Sequence, residues 1–565
     1  MVSTAADRVS DRVAREHAVS TWAPLSSPLY RALWIAQMVS NLGTWMQTVG
    51  AQWLLVDKPH AAVLVSLVQA ATTLPVMLLV VPSGVLADLL DRRRLLLAAQ
   101  TAMAVLAVVL TVVTAVGHTT PLVLLSLLFL LGCGQALVSP SWQAIQPELV
   151  PRRQIPAAAS LSSMNINSAR AIGPALAGVL VSLAGPTVVF GLNALSFIGI
   201  VAVLFRWRRP IVARDLPAER PLPALRAGLR FIRSSPSIRR VLLRSILFIF
   251  PASAVWSLLA VVAHDRLALG SGGYGVLLSA LGAGAVLGAT QIGRLRRVLS
   301  TTGLLALAGV LFGIGALAAA LVPYPPLVWL GLLFAGLAWM VSMSTMNSSM
   351  QLLLPGWVRA RGLSMFQLVL MGGQAIGALV WGAVAGTVGL VPTLLVSAGL
   401  LGLCALSTRW WPVRVTSLDT RHAEFWPEPA MVVEPEPRDG PVLVLRTYQV
   451  PAEQAADFTA AMARVSRSRQ RTGASRWQLY RDIGATDRYI EAFVVRSWEE
   501  HMHQQHVRLT ALDESAEKRV EQYTVGETRT MHLIAEPVDD IRPARRGLSI
   551  SRARHDRAEV LNQRH

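Results

Sequence analysis

Between Leu29 and Thr408 the chain is a succession of apolar blocks, each about 20 residues long, with most of its charges confined to the short gaps between them. A block of that length crosses the hydrocarbon core as a helix. In lipid every backbone polar group must be satisfied within its own segment, so few other folds are open to such a chain. Of 565 residues 53% are hydrophobic and 15% charged, against roughly a quarter charged in soluble domains. The pattern predicts an all-α membrane protein with twelve spans, near 29–56, 63–90, 95–116, 121–145, 157–184, 187–206, 241–264, 274–293, 302–322, 326–350, 361–387 and 390–408, followed by a water-soluble tail.

Arginine occupies alternate gaps. One side holds Arg92, Arg93 and Arg94, then Arg152 and Arg153, the stretch from Arg206 to Arg244, Arg294, Arg296 and Arg297, and Arg359 and Arg361. The other side has Lys58 and Arg266. This asymmetry places the arginine side in the cytoplasm, and twelve spans return both termini there, in a bacterial cytoplasmic membrane. The net charge of +19 therefore points to anionic lipid as a partner and not to nucleic acid. Cys133 and Cys404 both lie within apolar blocks and form no disulfide framework or metal spacing. Residues 1–28 are polar and lack a signal-peptide core.

The organisation expected is a cytoplasmic segment (1–28), six helices (29–206), a basic cytoplasmic loop (207–240), six helices (241–408), a Pro- and acid-rich linker (409–440), a small domain (441–537) and a basic tail (538–565). The two sets of six are related. A shift of 204 residues carries Gly84, Arg92 and Arg93 onto Gly288, Arg296 and Arg297. It also carries Gly132 onto Gly336, "AIG" at 171–173 onto "AIG" at 375–377, and Gly178 onto Gly382. Two copies of six spans share one orientation. That is the parallel repeat of two-lobed secondary transporters, with the substrate path between lobes near mid-membrane.

In "SGVLADLLDRRR" (83–94) the residues Gly84, Asp88 and Arg92 fall at i, i+4 and i+8. That spacing puts them on one face if the second helix continues, with Gly84 admitting a neighbouring helix and Asp88 paired to Arg92. The stretch resembles the loop between helices two and three of the major facilitator superfamily, with Gly84, Leu86, Ala87, Asp88, Arg92 and Arg93 matching and Asp91 standing where that pattern has Gly. The resemblance implies a gating latch, one-sided because Ile292 occupies the position equivalent to Asp88. "SNLGTWMQTVGAQWLL" (40–55), "SPSWQAIQPELVPRRQIPAAASL" (139–161) and "NSARAIGPALAG" (167–178) are similar to the enterobactin-exporter-like, transmembrane secretion effector branch, over nearly all of 29–408. Gly356 departs from that branch, which carries Asp before the Trp.

Candidate path residues form polar stripes. The first helix presents Gln37, Asn41, Thr44, Thr48 and Gln52. The fifth presents Ser160, Ser163, Asn167 and Arg170, and the shifted copy supplies Ser364, Gln367, Met371 and Gln374. Such faces look into the bundle, as cavity lining or as interhelical hydrogen bonds. Arg170 is the one ionisable residue deep within a span and suits an anionic or carbonyl-rich substrate. Gly173, Pro174 and Gly178 resemble the fifth-helix signature of proton-coupled antiporters, which implies a bend sealed against the eighth helix. Asp57, Asp265 and Glu148, at span edges, are the carboxylates available to carry protons. No phosphate-cradling glycine–lysine loop occurs, and the chain has two lysines, Lys58 and Lys518, so ATP-driven pumping is excluded.

In the tail, periodicity reads β-α-β-β-α-β, a ferredoxin-like domain. "FVVRSWEEHMHQQHVRLTALD" (493–513) resembles the tail of the exporter branch and small monooxygenase domains that pair as dimers, which implies a dimer through this domain. His501, His503 and His506 lack an acid at ligand spacing and read as solvent-facing or as a dimer seam, with no metal or cofactor expected. The expected function is secondary active efflux of a siderophore- or drug-like small molecule in exchange for protons. The alternatives are a membrane-tethered enzyme with a monooxygenase-like tail and a binding or sensing protein that has lost transport.

Overall fold

The computed structural model describes residues 20, 22–207, 221–413 and 423–536, except 424, 428, 430 and 432–434. The chain divides into two compact units, Met1–Thr420 and Arg421–His565.

The first unit is helical. Its first six long helices are α1 (Pro28–Leu55), α2 (Ala61–Leu89), α3 (Arg92–Ala115), α4 (Pro121–Leu149), α5 (Ile155–Ala184) and α6 (Pro186–Arg206). A shorter α7 (Pro221–Ser234) lies within the segment expected as loop 207–240, and 208–220 fall outside the described residues. Phe231 and Ile232 of α7 are buried, and Phe231 meets Trp357 edge-on at 5.5 Å. Six long helices follow: α8 (Pro236–Val261), α9 (Ser271–Val298), α10 (Thr301–Leu321), α11 (Pro325–Leu353), α12 (Arg359–Val388) and α13 (Leu390–Leu406).

Local chemistry sets many of these boundaries. Proline opens α1, α4, α6, α8 and α11, where its missing N–H costs nothing. Ser27, Thr120 and Ser300 cap their helices by accepting from the backbone N–H three residues on. Gly185 (φ 78°) and Gly389 (φ 91°) occupy the left-handed region at the breaks after α5 and α12.

Among the described residues, eleven helices are long and apolar enough to cross a membrane, and α1 is not among them. Its polar stripe lowers its mean hydropathy although it runs for 28 residues.

The internal repeat is visible in the helix bounds. Shifting α4 and α5 by 204 residues lands them on Pro325–Leu353 and Arg359–Val388, the bounds of α11 and α12. The packing repeats as well. α2 packs on α12 and α5 packs on α9, and the shift turns the first pair into the second. Equivalent glycines make equivalent contacts: a Cβ on Gly132 would lie 2.9 Å from Pro75 of α2, and one on Gly336 would strike Leu281 of α9. Gly178 meets Ser271 and Gly275 of α9, and Gly382 meets Ser66 of α2.

The second unit has a four-stranded antiparallel sheet in the order β2-β3-β1-β4, built from β1 (Val442–Gln449), β2 (Arg476–Arg481), β3 (Arg488–Val495) and β4 (Arg529–Ile534). The helices are α14 (Ala455–Thr472), α15 (Trp498–His503) and α16 (Ala511–Glu521). Between α15 and α16 the chain makes a wider turn at Gln504–Arg508, after which Thr510 and Asp513 form a reciprocal capping box that starts α16. Phe458, Met462, Val465 and Phe493 are fully buried between helices and sheet.

Candidate functional site

The polar stripe of α1 is divided between two roles. Gln37 Nε2 donates to Asn41 Oδ1 (3.0 Å), Asn41 Nδ2 to Asn165 Oδ1 (2.8 Å), and Asn165 Nδ2 to the Trp34 carbonyl (2.9 Å). Gln47 accepts from Asn193 at 2.7 Å, and Gln52 accepts from the Tyr274 hydroxyl. These amides bind α1 to α5, α6 and α9. Thr44 and Thr48 bond only to carbonyls of their own helix. Asn165 and Asn193 are buried and were not singled out in the sequence, because each is an isolated amide off the four-residue stripe. On α5, Ser163 is exposed and Asn167 donates to the Ser163 carbonyl; the repeat partner of Ser163, Gln367, is also exposed. Arg170 and its repeat partner Gln374 are both half-buried.

Arg170 lies with Cζ 5.8 Å from the centre of the Trp45 ring. Trp45 in turn meets Trp256 of α8 at 6.1 Å, and Trp256 meets Trp339 of α11 at 5.4 Å. No carboxylate pairs with Arg170 among the described residues. The cation therefore stands at the edge of an aromatic cluster fed by both sets of six helices. The sequence reading passed over Trp45 and Trp256, since tryptophan in an apolar span carries no periodic signal.

α5 continues as helix through Gly173 and Pro174. Pro174 supplies no N–H, so the Arg170 carbonyl loses its usual i+4 donor. The glycines give α9 its approach: a Cβ on Gly275 would lie 2.7 Å from the Pro174 carbonyl and 2.8 Å from Gly178 Cα, and one on Gly282 would strike Ala171. α5 and α9 thus meet along a backbone-to-backbone seam.

Two of the edge carboxylates come together. His264 Nε2 is 2.9 Å from Asp57 Oδ1, and its Nδ1 is 2.7 Å from Asp265 Oδ1. Trp53 packs edge-on to His264 at 5.9 Å and stacks on Tyr274 at 6.1 Å. The third carboxylate, Glu148, lies elsewhere, in an ion pair with Arg92 at 2.9 Å.

The stretch 83–94 departs from the sequence reading. The helix ends at Leu89, Leu90 is extended, and Asp91 caps α3 by accepting from the Arg94 N–H. Arg92 therefore belongs to the next helix and shares no face with Gly84 and Asp88. The side chain of Asp88 falls outside the described residues. A Cβ on Gly84 would meet nothing within 4 Å among the described residues. Arg93 donates to the Leu204 and Phe205 carbonyls and caps the end of α6. Arg244 does the same for α13, donating to the carbonyls of Cys404, Ser407 and Trp411. Arginines that read only as topology signals thus also satisfy helix C-termini. Arg296 reaches Ser344 and Ser348 of α11, where its repeat partner Arg92 reaches Glu148 of α4.

In the tail domain, Arg469 is fully buried and pairs with Glu491 (3.0 Å) and Glu517 (2.5 Å), and Arg446 pairs with Glu517 at 2.8 Å. Burial pushes the Glu517 carboxyl up, but the two guanidiniums and their hydrogen bonds outweigh it and hold it at about 2. His501 is fully buried against Trp498 and His532, contrary to the solvent-facing reading, because α15 turns that side inward. Burial lowers its imidazole to about 4. Gln504 stands near the ring without completing a hydrogen bond to either nitrogen. His503 and His506 are half-buried. No group of three or more metal-ligating side chains occurs among the described residues.

The family model of the transmembrane secretion effectors matches residues 19–538. The chain belongs to this family of major facilitator transporters. Among its curated relatives are the uncharacterized MFS-type transporter YfiS of Bacillus subtilis, 30% identical over 40% of this chain and 56% of that protein, and the staphyloferrin A transporter of Staphylococcus aureus, 26% identical over 49% and 70%. The enterobactin exporter EntS of Salmonella choleraesuis is 27% identical over 47% and 64%. The chain spans between about half and 70% of the length of these relatives. A crystal structure of a point mutant of the nucleoside transporter NupG superposes with a TM-score of 0.58 at 15% identity, covering 68% of this chain and all of that chain, which establishes a shared fold.

Proposed function

We propose that the chain is a proton-coupled exporter that alternately exposes a central path between two six-helix halves. All twelve long helices span the membrane in this reading, with the arginine side and both termini in the cytoplasm. The observation that carries it is the exchange of contacts: α2 on α12 and α5 on α9 are one interface repeated by the 204-residue shift. Two equivalent seams on either side of an axis are what a two-state rocker needs. The α1 amides knit α1 into its own half, while Thr44, Thr48, Ser163, Gln367 and Gln374 are left to line the path.

The substrate binds beside Arg170. An intramembrane guanidinium without a carboxylate, bordered by Trp45, suits a small molecule bearing carboxylate or carbonyl groups. Relatives named for staphyloferrin A and enterobactin support a siderophore-like compound. Asp57, His264 and Asp265 join the α1 and α8 ends of the two halves and are the proton-carrying group. Glu148, already paired with Arg92, serves the opposite end as a latch.

The test uses proteoliposomes of the full chain with an imposed proton gradient and a panel of iron-chelating and drug-like compounds. Gradient-dependent flux of at least one compound is expected. Folded protein with no such flux for any of them overturns the reading.

A further inference from the structure

We infer that the cleft filled by Trp426 in the tail domain is a binding site for a planar heteroaromatic molecule that carries an N–H or O–H donor at its edge and a second polar group on its ring, and that Trp426 holds the site in the absence of that ligand. The cleft has the parts of a recognition site. Its floor is the guanidinium of the fully buried Arg469, with Cζ 4.4 Å from the centre of the Trp426 ring. Arg446 approaches the same ring at 5.8 Å, and Phe493 lies 6.2 Å away. A cation under an aromatic face favours electron-rich rings. At the ring edge, Glu517 accepts from Trp426 Nε1 at 2.8 Å. That carboxylate stays ionised, so the site selects a donor there.

Trp426 does not satisfy the whole cleft. His501 is fully buried with its ring 6.3 Å from that of Trp426, and neither of its nitrogens completes a hydrogen bond, the nearby Gln504 side chain included. A buried polar group left unpaired bears its full desolvation cost, so native structures rarely retain one without a use. Indole has a single polar atom, already spent on Glu517. A ligand of the same shape with a hydroxyl or carbonyl on the ring would engage both. The occupant is also replaceable. Trp426 is only half-buried, so the cleft reaches solvent. Its segment is held by the Gln505 side chain donating to the Pro427 carbonyl (3.1 Å) and the Ala423 N–H donating to the Leu509 carbonyl (3.2 Å).

The experiment uses the full chain in detergent, with indole and 5-hydroxyindole as probes. In W426A, calorimetric titration is expected to show 5-hydroxyindole binding about tenfold more tightly than indole, the worth of one net buried hydrogen bond. In W426A/H501F the two should bind equally. Equal binding in W426A, or a preference that survives H501F, means that the cleft is only the cavity left by an indole and overturns the inference. The native chain supplies a second readout that does not depend on either variant folding. With 5-fluorotryptophan incorporated, the Trp426 fluorine resonance should move as 5-hydroxyindole saturates. A resonance that stays in place also overturns the inference.

Discussion

His264 stands between Asp57 and Asp265, with one ring nitrogen 2.9 Å from the first carboxylate and the other 2.7 Å from the second. The contact to Asp57 ties the α1 end to the α8 end, and the contact to Asp265 fixes the ring between the two carboxylates. Replacing His264 by Phe removes both contacts and should lower proton-driven flux severalfold. Initial rates in proteoliposomes check this, and an unchanged rate would remove His264 from coupling.

Arg170 has no carboxylate partner among the described residues, only the Trp45 ring. Such a contact contributes about 0.5–2 kcal/mol to folding, and in the proposed mechanism Arg170 acts on the substrate. Arg170→Ala should reduce flux of an anionic substrate at least tenfold, and Arg170→Lys should recover part of it, with the melting temperature nearly unchanged. Transport and thermal unfolding on the same preparations separate the two effects.

The α5–α9 seam admits no side chain at Gly275, where a Cβ would lie 2.7 Å from the Pro174 carbonyl and 2.8 Å from Gly178 Cα. Backbone cannot yield as a flexible side chain does. Gly275→Val should cost about 1–3 kcal/mol, as overpacking does elsewhere, and should abolish transport. Gly84→Ala, whose added Cβ meets nothing within 4 Å among the described residues, should leave both stability and flux as they are. Thermal denaturation of the pair tests the contrast directly.

Acid should unfold the tail domain in two limbs. His501 titrates at about 4 in the fold against 6.5 in the unfolded chain, so the unfolded state gains a proton first and stability falls as pH drops from 6.5 to 4. Glu517 titrates at about 2 against 4.5, so its stabilisation is full above 4.5 and is lost as pH falls towards 2. Each limb is worth about 3 kcal/mol at 1.4 kcal/mol per pH unit. His501→Phe should remove the upper limb and Glu517→Gln the lower one, read as denaturation midpoints of the tail in the full chain against pH.

Helices were legible because their signals are local. Block length, proline at first turns, and arginine in alternate gaps each act within a few residues of where they appear. The repeat was legible because copies of one sequence keep their spacing, and Gly132 and Gly178 have the same neighbours as Gly336 and Gly382 one repeat on. Where the reading of 83–94 failed, it assumed that a four-residue spacing implies a continuing helix. Leu90 is extended and Asp91 begins a new one, a choice between two local outcomes that periodicity alone does not rank.

By itself, then, the sequence determined that this chain crosses a membrane many times, that its halves are copies, and that a small α+β domain follows them. Hydrophobic length, charge placement and alternation are properties of contiguous residues, and a contiguous string contains them. Only the tertiary structure decided which polar groups meet. Asp57 finds His264, Tyr274 finds Gln52, and Trp426 covers Arg469 across separations of dozens to hundreds of residues. Such pairs follow from how whole helices and strands pack, and desolvation makes each pairing matter only once packing has removed the water.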